Sequence, residues 1–320
     1  MKRLIFILIA VMLFISLAAC RQTAKAPDIT GEQPPLVTEQ TPPPVVTDPT
    51  PTPAPANAFK FTRENMPVID GSTANIPLIE AVYSVLLGIP RNEAAQMVNT
   101  SGTDDAYSNL LWGNADILLV YSPSPNTLRD YETELEMAPI GRDGLVFLVN
   151  IANPVETLSP EQLVSIYSGQ TCNWAQVGGE DVEIKAFQRQ YRSGSQTMMN
   201  ELVMKGVPMA NAASEYVISE MGGLIDTIAE YDNAQSAIGY NVYYFVSQME
   251  MNENVRMLSV SGVAPSTQSI SDGSYPFVSD FYAVIKADTP EDSPARVLYD
   301  WIQSADGQNL VKHEGYATAG

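Results

Sequence analysis

Histidine and cysteine are nearly absent from this 320-residue chain, and basic residues are scarce: one His, two Cys, and 17 Lys+Arg against 37 Asp+Glu, a formal charge of −20. Each shortage excludes something. A Ser-His-Asp triad would have only His313 as its base, and "VKHEGY" reads as a helix end or a surface position. Zinc has neither paired His nor paired Cys to hold it. No GxSxG, HExxH or P-loop pattern occurs, and no local pattern pairs two carboxylates as glycosidase acids. The expectation is no catalytic residue, no metal and no cofactor. Binding a nucleic-acid backbone needs clustered Lys and Arg, so no nucleic-acid partner is expected. Two cysteines make no disulfide framework, and Cys172 in "SGQTCNW" reads as a small, partly buried apolar residue.

The N-terminus has what the rest lacks, a long hydrophobic run. In "MKRLIFILIAVMLFISLAAC", Lys2 and Arg3 precede an apolar stretch, and Ala18 and Ala19 lead to Cys20. That is the layout of a signal peptide over residues 1–19, with an uncleaved anchor as the alternative. "LAAC" matches the bacterial lipobox, which makes Cys20 the lipidated (palmitate-bearing) N-terminus of a lipoprotein on the extracytoplasmic face of the cell membrane. Residues 20–57 hold ten of the 23 prolines and no aromatic. Such a segment cannot bury enough apolar surface to offset its ordering entropy, so it reads as a semi-extended Pro/Thr-rich tether.

Residues 58–320 alternate strand and helix patterns. "ADILLV" (115–120), "GLVFLVN" (144–150), "AIGYNVYYFV" (237–246) and "DFYAVI" (280–285) read as buried strands. "PLIEAVYSVLLG" (77–88), "SPEQLVSIYSG" (159–169) and "PARVLYDWIQS" (294–304) read as helices. The alternation means an α/β fold.

Three loops share one chemistry. "DGSTANIPLIEAVY" (70–83), "TSGTDDAYSNLLWG" (100–113) and "RSGSQTMMNELVMKG" (192–206) each set glycine and hydroxyl residues ahead of a helix. The first amides of a helix have no intrahelical acceptor and its dipole is positive there, so such a loop seats an anion with few charged side chains. Any one of them can equally be an ordinary N-cap. The third also carries Arg189, whose fork suits a tetrahedral oxyanion, while Arg192 is expected to face solvent. Met198, Met199 and Met204 behind it read as packing. Tyr240, Tyr243 and Tyr244 either line the cleft or pack it.

These segments, with "NPVETLSPEQLVSIYSGQTCNWAQVGG", "AIGY" and "WIQSADGQNLVKHEGY", resemble the phosphate-binding lipoproteins of ABC transporters, the PstS family, in order through nearly all of 60–320. The resemblance implies a two-lobed type II periplasmic-binding-protein fold with two hinge crossings. Lobe 1 would be residues 58–140 plus 240–320, and lobe 2 residues 141–239. It implies capture of inorganic phosphate between the lobes and delivery to an ABC permease. By position it assigns Thr73, the Ala74 amide, Thr103, Arg189, Ser193, the Gly194 amide and Ser195 to the anion, with Ser72 and Tyr121 as further candidates. Thr103 keeps the family's thirteen-residue distance to Asp116. One position departs: where the family has a carboxylate accepting the phosphate's proton, five residues beyond that Asp, this chain has Tyr121. Asp104 or Asp105 could replace it, or serve only the helix start. The departure leaves open a receptor for another oxyanion, such as sulfate or molybdate, or a sensor or scaffold lipoprotein of the same fold.

Overall fold

Apolar residues crowd two long strands, and everything else is arranged about them. The computed structural model describes residues 59–129, 134–231 and 233–318; the expected signal peptide, Cys20 and the expected tether lie outside these. The chain opens with β1 (Ile69–Gly71), α1 (Ile76–Leu87), α2 (Arg91–Ala94), α3 (Thr103–Trp112), β2 (Ile117–Tyr121) and β3 (Leu135–Asn150). There follow β4 (Thr157–Leu158), α4 (Pro160–Tyr167), β5 (Lys185–Ala186), β6 (Gln188–Arg189), α5 (Gly194–Met198), β7 (Val217–Ile218), α6 (Met221–Glu230) and β8 (Ala237–Val242). The chain closes with β9 (Val255–Met257), β10 (Ser259–Val260), α7 (Thr267–Ser271), β11 (Val278–Lys286), α8 (Pro294–Gln303) and α9 (Ala305–His313).

The main sheet runs β1-β2-β11-β3-β8-β5, with β9 also paired to β3. The 16-residue β3 belongs to both halves of this α/β fold. Its first part, Leu135–Gly144, pairs with β11, and its second, Leu145–Asn150, pairs with β8 and β9. Leu145 to Val149 are wholly buried, as a strand covered on both faces must be. The apolar run therefore marked only the second part of β3. The first part, "LEMAPIGRDG", carries Pro139, Gly141 and charges that mask a strand from its composition. Gly141 is needed there because a Cβ would lie 2.4 Å from the Phe281 ring, where the β11 register shifts.

The lobe boundary read at 240 needs correction. β8 ends at Val242, and the expected strand over 237–246 gives way to a helical turn over Phe245–Met249. β9 then returns to the second part of β3, and β10 pairs with β4. Residues 255–260 thus lie with lobe 2, and the return crossing falls where Phe277 accepts from the Leu145 amide, just before β11. The excursion between β8 and β9 touches the hinge, where Tyr244 stacks on Tyr316 with centroids 3.6 Å apart.

Local signals set the ends of the helices. Pro77 sits in the first turn of α1, and Gly88 ends it at φ 64. Gly113, at φ 80, ends α3. Ser159 and Gln162 form a capping box on α4. α5 runs on into a wider helical turn over Met199–Met204, ended by Lys205 and Gly206 at positive φ. Met198, Met199 and Met204 are buried in the core. His313 is exposed in the last turn of α9, and Cys172, read as partly buried, is an exposed free thiol.

Candidate functional site

Asp70, which sequence reasoning passed over, fixes the first two loops. It is 4% exposed and accepts from the Gly71 and Ser101 amides, the Ser101 hydroxyl and Asn109 Nδ2, at 2.7–2.8 Å. The Gly102 amide donates to Gly71 O, so the 100–103 loop, which leads into α3, lies alongside the 70–75 loop at the end of β1. Ser72 Oγ lies 2.8 Å from Thr103 Oγ1 and accepts from the Tyr121 amide at 3.3 Å. Ser72 Oγ can accept that amide and still either donate to Thr103 or accept from it, and in the first arrangement the Thr103 proton is free to point elsewhere. Ala74 is fully buried; its carbonyl accepts from Tyr316 and its amide belongs to the opening turn ahead of α1.

The third loop is held from below. β6 pairs with β7, and Arg189 Nη2 donates to Ser219 O at 2.9 Å. The Tyr240 hydroxyl accepts from the Arg189 amide and donates to Gln196 Oε1, clamping the arginine against the first turn of α5. That settles Tyr240 as a clamp. Ser193 caps α5: its hydroxyl donates to Gln190 O and accepts from the Gln196 amide. Both roles of that hydroxyl are thereby engaged, so the expected ligand Ser193 serves the helix, while the amides of Gly194 and Ser195 lie in the first turn and are not the ones that the cap takes up.

Arg189 is the unusual residue. It is 4% exposed, its Nε and Nη1 meet no acceptor, and no carboxylate pairs with it among the described residues. Burial pushes its guanidinium down to about 10, partly offset by Tyr240 and Glu220, so it remains charged at neutral pH. Ser195 Oγ, 4% exposed, is likewise unpartnered. A buried, unpaired cation at the base of a loop that also holds a buried free hydroxyl is a place that calls for an anion.

The two halves meet at this point. A Cβ on Gly194 would lie 2.6 Å from Thr103 Oγ1 and 3.3 Å from Tyr121 Cβ, so the third loop abuts the second. Asp104 N donates to Arg192 O at 3.4 Å, and Arg192 reaches Asp105 at 2.6 Å and Ser108 Oγ at 3.2 Å. Arg192 is thus half exposed, yet it faces the other lobe rather than solvent alone. Asn126 also donates to the Tyr191 hydroxyl across the same rim.

Residues 65–306 match the PBP superfamily domain. The chain belongs to the PBP superfamily. Among curated proteins it is similar to the phosphate-binding protein PstS of Borreliella burgdorferi, 22% identical over 269 residues that cover 81% of this chain and 92% of the other. A protein from Clostridium perfringens solved with bound phosphate shares 23% identity at a TM-score of 0.63, covering 80% of this chain and 100% of that one. An ABC-type phosphate transport receptor from Vibrio cholerae shares 22% identity at a TM-score of 0.58, covering 78% and 98%.

Within this PBP-superfamily fold the Tyr121 position takes an unexpected form. The Tyr121 side chain is 2% exposed, and its hydroxyl donates to Asp143 Oδ2 at 2.6 Å. Tyr121 is thereby turned to the hinge and is no free donor to a ligand. Asp143 also accepts from the Gly144 and Tyr244 amides, at 2.7 and 3.1 Å. Asp104 is engaged too, by the amide and hydroxyl of Ser124, and Asp105 by Arg192. Among the described residues no group of His, Cys, Asp and Glu could hold a metal.

Three outcomes are expected. Arg189→Met removes the two unpartnered nitrogens, each able to give an anion a charge-assisted bond of about 1.5–3 kcal/mol, so oxyanion affinity is expected to fall on the order of 100-fold or more, while the anion-free thermal midpoint holds or rises. Calorimetry and thermal melts check both. Gly194→Ala puts a methyl between the lobes; affinity falls on the order of tenfold and small-angle scattering shows a larger radius of gyration. Burial raises the Asp143 carboxyl to about 6 from 3.8, despite the Tyr121 hydrogen bond that pulls it down. A raised carboxyl contributes its full stability below its unfolded value and loses it as pH rises through the folded one. The thermal midpoint of Asp143→Asn should therefore gain on the wild type from about pH 4 to about pH 6.5 and run parallel above. A difference independent of pH would contradict this.

Proposed function

We propose that this protein is an extracytoplasmic receptor that captures inorganic phosphate between its two lobes and hands it to an ABC permease. The observation that carries the reading is the Arg189 guanidinium, nearly inaccessible and with two N–H-bearing nitrogens unpartnered, at the base of the loop whose Ser195 hydroxyl is likewise buried and unpartnered. The curated relatives are named phosphate-binding proteins, and one similar solved structure holds phosphate. An anion bridging the lobes favours their closure in proportion to its extra contacts in the closed form. The protein does no chemistry on its ligand in this reading. Thr73, Ala74, Thr103, Arg189, Gly194 and Ser195 are its proposed contacts. Cys20 carries the lipid, and the tether at 20–57 lets the lobes reach the permease at the membrane.

One observation favours a second reading, a broader oxyanion receptor. Among the described residues, Asp70, Asp104, Asp105 and Asp143 are each engaged by protein donors, so none of these four stands as an unengaged carboxylate to repel sulfate. Calorimetry decides. The full chain, unfolded and refolded to strip any carried ligand, is titrated with phosphate, arsenate, sulfate and molybdate at pH 6 and pH 8. The uptake reading expects phosphate and arsenate to bind and sulfate to stay silent. Sulfate binding of similar strength supports the broader receptor, and silence from all four contradicts both.

A further inference from the structure

Asn75 is fully buried, yet neither its Oδ1 nor its Nδ2 has a hydrogen-bond partner in the protein. It sits directly after Thr73 and Ala74, at the N-cap of α1. Asparagine at that place ordinarily turns its oxygen back onto its own helix. Here it makes no such bond. Its backbone is fixed instead: the Asn75 amide donates to Ser72 O at 2.8 Å, and the Ala74 carbonyl accepts from Tyr316. The residue is therefore held with both ends of its carboxamide free, three positions after Ser72, whose hydroxyl lies 2.8 Å from Thr103 Oγ1.

The other acceptors around the loops are accounted for. Asp70 takes Ser101 and Asn109, Asp104 takes Ser124, Asp105 takes Arg192, and Asp143 takes Tyr121 and two amides. Of the four carboxylates just named and the Asn75 carboxamide, the Asn75 oxygen is the one without a donor, while the Ser195 and Thr197 hydroxyls are also buried and unpartnered. We propose that the Asn75 carboxamide reads the protonation of the bound anion, its oxygen accepting from a P–OH and its nitrogen donating to a neighbouring P–O⁻. This rests on the phosphate reading above and deepens it, since it supplies the acceptor that Tyr121 does not.

The chemistry follows from the inventory of a carboxamide, one acceptor beside two donors. Hydrogen phosphate and dihydrogen phosphate each present a hydroxyl beside a bare oxygen, which matches that pair. Sulfate presents only acceptors, so its lone pairs would face the Asn75 oxygen. The carboxamide is neutral, so this repulsion is weaker than a carboxylate would give, and discrimination is moderate rather than absolute.

The test uses the full chain with phosphate and sulfate as probes. Asn75→Leu keeps the volume and removes both polar ends. Phosphate affinity should fall on the order of 10- to 100-fold while sulfate affinity changes little, narrowing the ratio between them. The anion-free thermal midpoint should hold or rise, because an unpartnered buried amide is gone. Asn75→Asp retains the acceptor and adds charge, so sulfate binding should disappear while phosphate persists, and this variant decides the matter if the leucine variant fails to fold. Wild-type phosphate-to-sulfate ratios in both variants overturn the inference and leave the phosphate reading standing. A lowered thermal midpoint with an unchanged ratio assigns Asn75 a structural role and also overturns it. Wild-type protein that binds neither anion removes the phosphate reading, and this inference with it.

Discussion

A buried positive charge without a carboxylate partner governs this structure. Taking a guanidinium out of water is costly, and proteins usually offset that cost with a paired carboxylate. At Arg189 the protein satisfies only one nitrogen, through Ser219 O, and holds the other two in reserve. That arrangement is stable only because Tyr240 and the β6–β7 pair fix the backbone beneath it. An acidic protein can therefore present a locally positive seat, because the −20 charge is spread over the surface while the seat is desolvated.

The rest of the architecture serves to bring neutral donors to that charge. Asp70 gathers the first two loops at the end of β1, and the shared strand β3 carries the second lobe's loop toward them. Gly194 is glycine for want of space: its φ is ordinary, and Thr103 stands where a Cβ would go. The rim pair Arg192–Asp105 is exposed on both sides, so it orients closure more than it stabilises it.

The loops themselves were legible in the sequence because their signals are local. Gly88, Gly113 and Pro77 stop and start helices within a few residues of where they stand, and the run Leu145–Val149 announces a strand on its own. What stayed hidden depends on partners distant in the chain. Tyr121 read as a candidate contact until its hydroxyl met Asp143, 22 positions on. Ser193 read as a ligand until its hydroxyl proved doubly engaged in the cap of α5. The first part of β3 was masked by Pro139 and Gly141, which strand composition disfavours, although Phe281 demands that glycine. The return crossing was misplaced because "AIGYNVYYFV" continues apolar past Val242, where the backbone turns helical to reach the hinge. Asn75 gave no signal, because an unpartnered side chain is visible only once all its neighbours are placed.

A crystal structure of the full chain with phosphate tests the central claim most directly. The account predicts one anion, with oxygens about 2.7–3.1 Å from Arg189 Nε and Nη1, Ser195 Oγ and the Ala74 and Gly194 amides. An anion bound elsewhere, or an Arg189 whose free nitrogens meet a carboxylate or water instead, would contradict it.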